Sequence, residues 1–354
     1  MNPLVELIEK LFRKVGRPIS LMEVCGTHTV AIFRHGIRSL LPDGLRLISG
    51  PGCPVCVTAI RDVDRAIAFA KREGSLLATF GDMMRVPGGT TSLSHAKAEG
   101  AAVRIVYSPL DALKIAEQQS DRTVVLFSAG FETTTPSVAA TIYEAEKNGI
   151  KNFLVYSVHK LVPPALAVLL QSDDVGINGF LLPGHVSTII GTRPYEFIAE
   201  TYGRPCVVTG FSAEDILGGI ALCLGQIVEG RSAVEVQYRS VVKSDGNRKA
   251  MEFMDEYFEP CDSHWRGIGQ LPLSGLRLRE RWSHRDAERV LPVDVPDHPE
   301  PKGCLCGLVL RGIRIPPECP LFGRVCTPEK PVGACMVSSE GSCAAYYKYG
   351  GVRT

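Results

Sequence analysis

Residues 45–72 read LRLISGPGCPVCVTAIRDVDRAIAFAKR and contain the pattern that decides the fold. A short aliphatic run ends in a loop rich in Gly, Pro and Cys, and a stretch with helical spacing of its apolar residues follows. Units of this kind recur along the chain up to about residue 240. Continuous apolar strands that alternate with helices indicate parallel sheets covered on both faces. About eight such units predict an α/β fold with two similar parallel-sheet domains.

The expected domain boundaries follow the start and the end of this pattern. An amphipathic helix opens the chain, and we expect residues 1–20 to pack on the C-terminal domain. Residues 21–122 and 123–240 are predicted to be the first and second α/β domains. Residues 241–354 lose the pattern, and from residue 303 they are rich in Gly, Pro and Cys with little periodicity. Such a segment buries too little apolar surface to order itself without an additional cross-link, such as a bound metal centre. We therefore predict an irregular third domain.

Composition and charge exclude several classes of function. The 354 residues carry a net charge of only +1, which favours neither nucleic acid nor an acidic membrane surface. No apolar run reaches the ~20 residues that a membrane-spanning helix needs, and the charged N-terminal stretch does not resemble a signal peptide. The common nucleotide-binding glycine motifs and the G-x-S-x-G motif of hydrolases are absent. We expect a cytoplasmic protein without nucleic-acid or membrane partners.

Twelve cysteines in a reducing compartment need a role other than structural disulfides. Six of them fall within 40 residues near the C-terminus: Cys304, Cys306, Cys319, Cys326, Cys335 and Cys343. Their uneven spacing and the lack of paired C-x-x-C knuckles favour an iron–sulfur cluster on four thiolates over a zinc site. Structural zinc, or reactive cysteines without metal, are the alternatives. The two remaining cysteines are either a redox-active pair or inert.

Further candidate site residues follow the ends of predicted strands. Cys53 and Cys56 precede a helix, whose N-terminus lowers a thiol pKa, so this C-x-x-C is predicted to cycle between dithiol and disulfide; half a zinc knuckle is the alternative. Ligands of parallel sheets bind outside the carboxyl ends of the strands. We therefore expect Cys25 and the Cys53–Cys56 pair to share a crevice with His28, Asp82, Glu132 and His185. Taken singly, the two histidines fit a packing or capping role, and the two acids fit a helix N-terminus.

Five motifs together resemble the family of hydrogenase maturation factors HypD. They are CGTH at 25–28, GPGCPVCVT at 50–58, TFGDMMRVPG at 79–88, GFETTTP at 130–136 and PGHVS at 183–187. The tail agrees, because Cys304, Cys319, Cys326 and Cys343 show the spacing C-x14-C-x6-C-x16-C. The resemblance covers nearly the whole chain, and its motifs are long and specific.

The resemblance implies a role in building the Fe(CN)2CO unit of [NiFe]-hydrogenases. It implies a scaffold formed with a HypC-type chaperone, to which a HypE-type donor delivers cyanide for a transiently bound Fe(CN)2CO iron. The family fold implies two α/β domains and a domain with a [4Fe-4S] cluster, and the tail motif places this cluster on Cys304, Cys319, Cys326 and Cys343. Cys25 is the expected ligand of the assembled iron, together with a thiolate of the chaperone, since iron that carries cyanide and carbonyl favours soft ligands.

The remaining residues receive roles from the same resemblance. Release of cyanide from a thiocyanate consumes two electrons, and a dithiol stores two, so Cys53 and Cys56 are expected to form an electron relay with the cluster. His28, Asp82, Glu132 and His185 are expected to orient or protonate bound groups. Two other hypotheses stay open. One is a thiol–disulfide reductase fed by the cluster and acting on a protein disulfide, and the other is an interaction protein with a purely structural cluster.

Overall fold

The computed structural model describes residues 2–171 and 176–350. Within these ranges the α-helices are α1 Pro3–Val15, α2 Gly26–Arg34, α3 Pro54–Val57, α4 Ile60–Lys71, α5 Leu93–Ala98, α6 Pro109–Gln118, α7 Thr135–Lys147, α8 Val162–Leu170, α9 Gly184–Ile190, α10 Glu196–Glu200, α11 Ala213–Val228, α12 Arg248–Tyr257, α13 Ala287–Val290, α14 Cys306–Leu310 and α15 Ser342–Tyr349. Short 3-10 helices occur at Ile37–Leu40, Gly81–Arg85, Arg193–Tyr195, Glu280–Arg285, Pro316–Glu318 and Ala334–Met336. The strands are β1 Ile19–Glu23, β2 Leu45–Ser49, β3 Ser75–Thr79, β4 Val103–Ile105, β5 Thr123–Ser128, β6 Phe153–Ser157, β7 Gly179–Pro183, β8 Cys206–Thr209, β9 Val234–Val236, β10 Phe258–Trp265 and β11 Gly269–Leu278.

Two parallel sheets form the body of the protein. The first has the strand order β2-β1-β7-β8-β9 and the second the order β4-β3-β5-β6. Strands β3, β7 and β8 are buried along their whole length, as parallel sheets covered on both faces require. The predicted α/β class with two parallel sheets is therefore confirmed.

The pairing of strands does not follow the predicted boundary at residues 122–123. Strands β3 and β4, which precede that boundary, pair with β5 and β6, which follow it. Strand β1 pairs with β7 across more than 150 residues, for example Met22 with Phe180. The second sheet is thus inserted between two parts of the first. Local hydrophobic patterns indicate where strands lie, but they do not encode which strands pair.

The N-terminal helix also lies elsewhere than predicted. Helix α1 packs against α11 in one apolar cluster, in which the buried side chains of Val5 and Ile8 meet those of Leu217 and Ile220. Asn2 caps the helix by accepting from the Leu4 amide at 2.9 Å, and Gly16 ends it with φ +67°. The prediction that it packs on the C-terminal domain was wrong. Amphipathicity indicates that a helix has a buried face, but not which surface covers that face.

The C-terminal part begins with an antiparallel hairpin and continues into the cysteine-rich segment. The hairpin of β10 and β11 packs on α8, and its Trp265 is fully buried between Phe131 and the end of α3. The cysteine-rich segment packs on α2 and α3. No helix in the two described ranges combines the length and the hydropathy that crossing a bilayer requires.

Candidate functional site

The loops after β1 and β2 bring Cys25 next to the C-x-x-C pair. Cys53 and Cys56 form a disulfide at the start of α3, while Cys25, at the start of α2, is a free and buried thiol. The Gly26 amide donates to the Gly52 carbonyl at 3.0 Å. A Cβ atom at Gly52 would lie 2.3 Å from the backbone nitrogen of Cys25, so only glycine permits this approach. The backbones of the two cysteine loops are therefore in direct contact.

Replacement of Gly52 by Ala is expected to destabilise the chain by about 3 kcal/mol or more, because backbone atoms on both sides must move. Gly225→Ala in α11 is the matched control. A Cβ at Gly225 meets nothing within 4 Å, and Ala favours a helix over Gly by roughly 0.5–1 kcal/mol. Thermal unfolding followed by circular dichroism measures both variants. Equal melting temperatures for the two would contradict the close approach of the loops.

Glu23, at the end of β1, is a buried acid that the sequence analysis did not select. One carboxylate oxygen accepts from the Cys25 amide at 3.2 Å, and the other accepts from the Thr29 hydroxyl. Burial raises its pKa to about 7, against the hydrogen bonds from Thr29 and the Cys25 amide, which lower it. A buried carboxyl group therefore holds the backbone of Cys25 in place. Its sequence signal is an acid at the end of the otherwise apolar run 21–24.

His28 and His185 both pack against the Phe211 ring. The ring centroids of His28 and His185 are 4.8 and 4.0 Å from that of Phe211. The Nε2 atom of His28 donates to the Gly210 carbonyl at 2.9 Å, while its Nδ1 has no partner among the described residues. Burial lowers the pKa of His28 to about 4 and also lowers the pKa of the half-buried His185. Both rings are therefore neutral at pH 7, and the Nδ1 atom of His28 is able to accept a hydrogen bond.

Residues 338–340 connect the cysteine loop of the first sheet to the Asp82 loop of the second. Glu340 accepts from the Thr27 hydroxyl at 2.7 Å, and its Cβ would lie 2.5 Å from a Cβ atom on Gly26. Ser338 donates to the Asp82 carboxylate at 2.8 Å. Residues 338–340 thus bring Asp82 near the Cys25 loop. The Asp82 carboxylate binds the C-terminal segment and does not cap a helix.

Glu132 lies deeper than the other candidates. Its Oε1 atom accepts from the Val162 amide at 2.9 Å, whereas Oε2 is shielded from solvent and has no partner among the described residues. Burial raises its pKa to about 7. Glu132 is therefore an acid whose burial favours the protonated form, and it does not line the open side of the site.

The six C-terminal cysteines belong to the same apolar core as Cys53 and Cys56. The Cys306 thiol contacts those of Cys304, Cys335 and Cys343. Cys319 and Cys326 instead hydrogen-bond to the backbone, Cys319 to the Gly303 carbonyl at 3.6 Å and Cys326 to the Val332 amide at 3.3 Å. The segment thus gathers the thiols beside α3, where the disulfide lies.

This donor set fits an iron–sulfur cluster by its chemistry. It consists of thiols only, the ligand type of such clusters, and an N–H donor such as that of Val332 is typical around their sulfur atoms. In the described part of the chain no group of three or more His, Cys, Asp or Glu side chains has the arrangement of a site for a single metal ion.

A cavity of about 650 Å3 lies apart from this site. It is lined by Asp62, Tyr156, Lys160 and Ser263, and by none of the site residues that the sequence analysis selected. The Lys160 ammonium is 2% exposed and donates to the Ser263 hydroxyl at 2.6 Å. The candidate site is thus formed by loops at strand ends and not by this cavity.

Comparison with known proteins gives one consistent result. The sequence model of HypD, described as the hydrogenase formation hypA family, matches residues 1–350. The chain is 46% identical over 355 residues to the hydrogenase maturation factor HypD of Rhodobacter capsulatus, covering 99% of this chain and 94% of the relative. It is 48% identical over 341 residues to that of Azotobacter vinelandii and 47% identical over 339 residues to that of Escherichia coli, each covering 94% of this chain and 90% of the relative.

Proposed function

This chain belongs to the HypD family of hydrogenase maturation factors, and on that premise we propose that it is a scaffold and redox protein for assembly of the Fe(CN)2CO centre of [NiFe]-hydrogenases. The observation that carries the proposal is the backbone contact between the free Cys25 loop and the loop of the Cys53–Cys56 disulfide. A metal-binding thiol and a two-electron couple thereby lie side by side. The partners are a HypC-type chaperone and a HypE-type cyanide donor.

Cys25 binds the iron that is being assembled, and the chaperone supplies a second thiolate. Burial raises the pKa of the Cys25 thiol to about 12, so the metal-free chain holds it protonated. Iron displaces this proton, because the metal ligand is the thiolate. Glu23 fixes the Cys25 backbone by accepting from its amide, and the unpartnered Nδ1 of His28 accepts a hydrogen bond from a bound group.

Cys53 and Cys56 supply the two electrons of cyanide release. A thiocyanate on the donor protein and the dithiol react to give the donor thiol, the Cys53–Cys56 disulfide and HCN. The S–CN bond breaks, the S–S bond forms, and the HCN loses its proton when cyanide binds iron. The disulfide observed here is the oxidised state of this couple.

A [4Fe-4S] cluster on Cys304, Cys319, Cys326 and Cys343 would supply single electrons to this region of the protein. Its placement is supported by the all-thiol donor set and by the packing of that segment against α3. The thiols of Cys306 and Cys335 contact each other. They remain outside this ligand set.

Iron analysis and infrared spectroscopy test the function. Protein purified without air together with its small partner should carry one iron beyond the cluster and show C≡O and C≡N stretching bands. The competing reductase would carry no additional iron and would turn over a protein disulfide. Absence of the bands and of the additional iron would contradict the scaffold.

Cys53 and Cys56 are expected to alternate between dithiol and disulfide during cyanide delivery. Cys53 lies at the N-terminus of α3, and its sulfur accepts from the Cys56 amide at 3.1 Å, which favours the thiolate when the bond is reduced. Alkylation with a mass-shifting reagent before and after one turnover measures the change. Cys206→Ala, at a buried thiol in β8, is the control that should leave the shift intact. A pair that stays in one state through turnover would exclude the relay.

A further inference from the structure

Arg266, in the turn between β10 and β11, carries a buried positive charge that has no role so far. Its side chain is 2% exposed. The Nη1 atom donates to the Pro87 carbonyl at 2.8 Å, and the Nε atom lies 3.4 Å from the Glu300 carboxylate. The Nη2 atom is shielded from solvent and has no hydrogen-bond partner among the described residues. Burial of a charge is costly unless the charge is well paired, so a buried guanidinium with unused donors needs an explanation.

The backbone of Arg266 lies against the end of helix α3. Its amide donates to the Val57 carbonyl at 2.8 Å, and Val57 directly follows Cys56 of the disulfide. The preceding residue, Trp265, forms a β-bridge with Thr58. The turn that carries Arg266 is therefore fixed beside the disulfide helix.

Glu300 connects the same turn to the start of the cysteine-rich segment. One of its carboxylate oxygens accepts from the Gly267 amide at 3.2 Å, and the other is the oxygen beside the Nε atom of Arg266. The next residue, Pro301, accepts at its carbonyl from the Cys304 amide at 3.1 Å. Arg266 is thus paired with an acid at the beginning of the tight turn that ends at Cys304.

A second contact joins the backbones of the turn and of the cysteine-rich segment. A Cβ atom at Gly267 would lie 2.6 Å from the Cα atom of Gly307, and a Cβ atom at Gly307 would lie 2.1 Å from the Gly267 carbonyl oxygen. Only glycine permits this approach at either position. Arg266 and Cys306 each adjoin one of these glycines, so Arg266 lies between α3 and the cysteine-rich segment.

The charges of Arg266 and Glu300 act on Cys304 in opposite directions. A hydrogen bond with the Cys306 thiol makes the largest contribution and lowers the pKa of Cys304, while burial raises it. The charge of Arg266 lowers the same pKa, and the charge of Glu300 raises it. Water screens the charge of Glu300, which is 42% exposed, more than that of the buried Arg266. Arg266 therefore favours negative charge at this end of the cysteine-rich segment.

We propose that Arg266 supplies the buried positive charge that raises the reduction potential of the cluster bound through Cys304. This role rests on the proposed function, since the cluster belongs to it, and it concerns the electron supply of that function. Reduction adds a negative charge to a cluster, and a buried cation beside it stabilises the reduced state. Cys304 belongs both to the ligand set with the family spacing and to the contact group around Cys306, so the role is the same for either set.

A redox titration of the isolated chain, followed by the electron paramagnetic resonance signal of the reduced cluster, measures this role without any partner protein. Arg266→Gln should lower the midpoint potential, with at least tenfold less reduced than oxidised cluster at the wild-type midpoint, which corresponds to about 59 mV for a one-electron couple. Arg266→Lys keeps the charge and should keep most of the wild-type potential. Arg285→Gln is the matched control and should leave the potential unchanged. Arg285 is also a buried arginine, but it binds Glu146 and the carbonyls of Ile150 and Phe153.

Glu300→Gln tests the same charge from the opposite side and leaves Arg266 in place. Glutamine keeps a side-chain oxygen that is able to accept from the Gly267 amide, and it removes the negative charge. We expect the midpoint potential to rise in this variant. It also decides the question where Arg266→Gln does not retain its cluster. An unchanged potential in Arg266→Gln, or in Glu300→Gln where the former holds no cluster, would overturn the role of Arg266. A potential lowered as much in Arg266→Lys as in Arg266→Gln would do the same.

The outcome for Arg266 is separable from the outcome for the proposed function. A wild-type chain that binds no iron–sulfur cluster when purified without air would overturn the cluster and the role of Arg266 together. The expected shifts in potential, found in a chain whose complex with the small partner lacks C≡O and C≡N bands, would overturn the scaffold function alone and support the role of Arg266.

Discussion

Cys25→Ala is expected to lose the C≡O and C≡N bands of the partner complex completely and to retain the brown C-terminal cluster. Cys25 is the free thiol in the paired cysteine loops, since Cys53 and Cys56 share a disulfide. Its backbone is fixed from two sides, by the Glu23 carboxylate and by the Gly52 loop. Alanine keeps this backbone arrangement and removes only the sulfur, so the variant separates loss of the iron ligand from loss of the fold.

Two further variants complete the Cys25 experiment. Cys25→Ser should hold iron weakly, because a hydroxyl is a harder and much less acidic ligand than a thiol. Cys223→Ala, at a buried thiol that donates to the Phe180 carbonyl at 3.5 Å inside an apolar cluster, should keep the bands at full intensity. Infrared spectra and iron content of each complex are the measurements. Unchanged bands in Cys25→Ala would exclude Cys25 as the ligand and would make Cys53 and Cys56 the next candidates.

The sequence predicted the elements of the site better than their arrangement. The strand–loop–helix units placed Cys25 and Cys53 at strand ends, and the structure has both residues there. The insertion of the second sheet into the first was not predictable, because it depends on contacts such as Met22 with Phe180 between distant parts of the chain. Local patterns report burial and backbone conformation, whereas sheet order is decided by long-range packing.

The sequence analysis missed Glu23 for a physical reason. Glu23 lies in an apolar strand and belongs to no motif that signals chemistry. Its role comes from the folded geometry at the end of β1, where its carboxylate accepts from the Cys25 amide and from the Thr29 hydroxyl. Asp82 shows the converse, since its sequence position suggested the crevice while its carboxylate binds Ser338, 256 residues away.

Cys319→Ala is expected to abolish the cluster, and Cys335→Ala is expected to keep it. The spacing of Cys304, Cys319, Cys326 and Cys343 selects the ligands that the family resemblance implies. The thiol contacts favour a different set, in which Cys306 touches Cys304, Cys335 and Cys343. Because both sets include Cys304 and Cys343, replacement of either of those cysteines cannot distinguish them, whereas Cys319 and Cys335 each belong to only one.

The environment of Cys326 favours the first set. Its sulfur accepts from the Val332 amide, as ligand sulfurs in cluster sites do, whereas the Cys319 thiol donates to the Gly303 carbonyl and would lose this bond on binding iron. Iron and acid-labile sulfide in each purified variant measure the cluster, and limited proteolysis measures the order of residues 304–343. We expect Cys319→Ala to lose iron and sulfide together and to become more sensitive to protease, because a cluster would join parts of this loop-rich segment that are distant in sequence. Loss of the cluster in Cys335→Ala with full retention in Cys319→Ala would instead assign the ligands to the contact set and leave Cys319 and Cys326 as structural thiols.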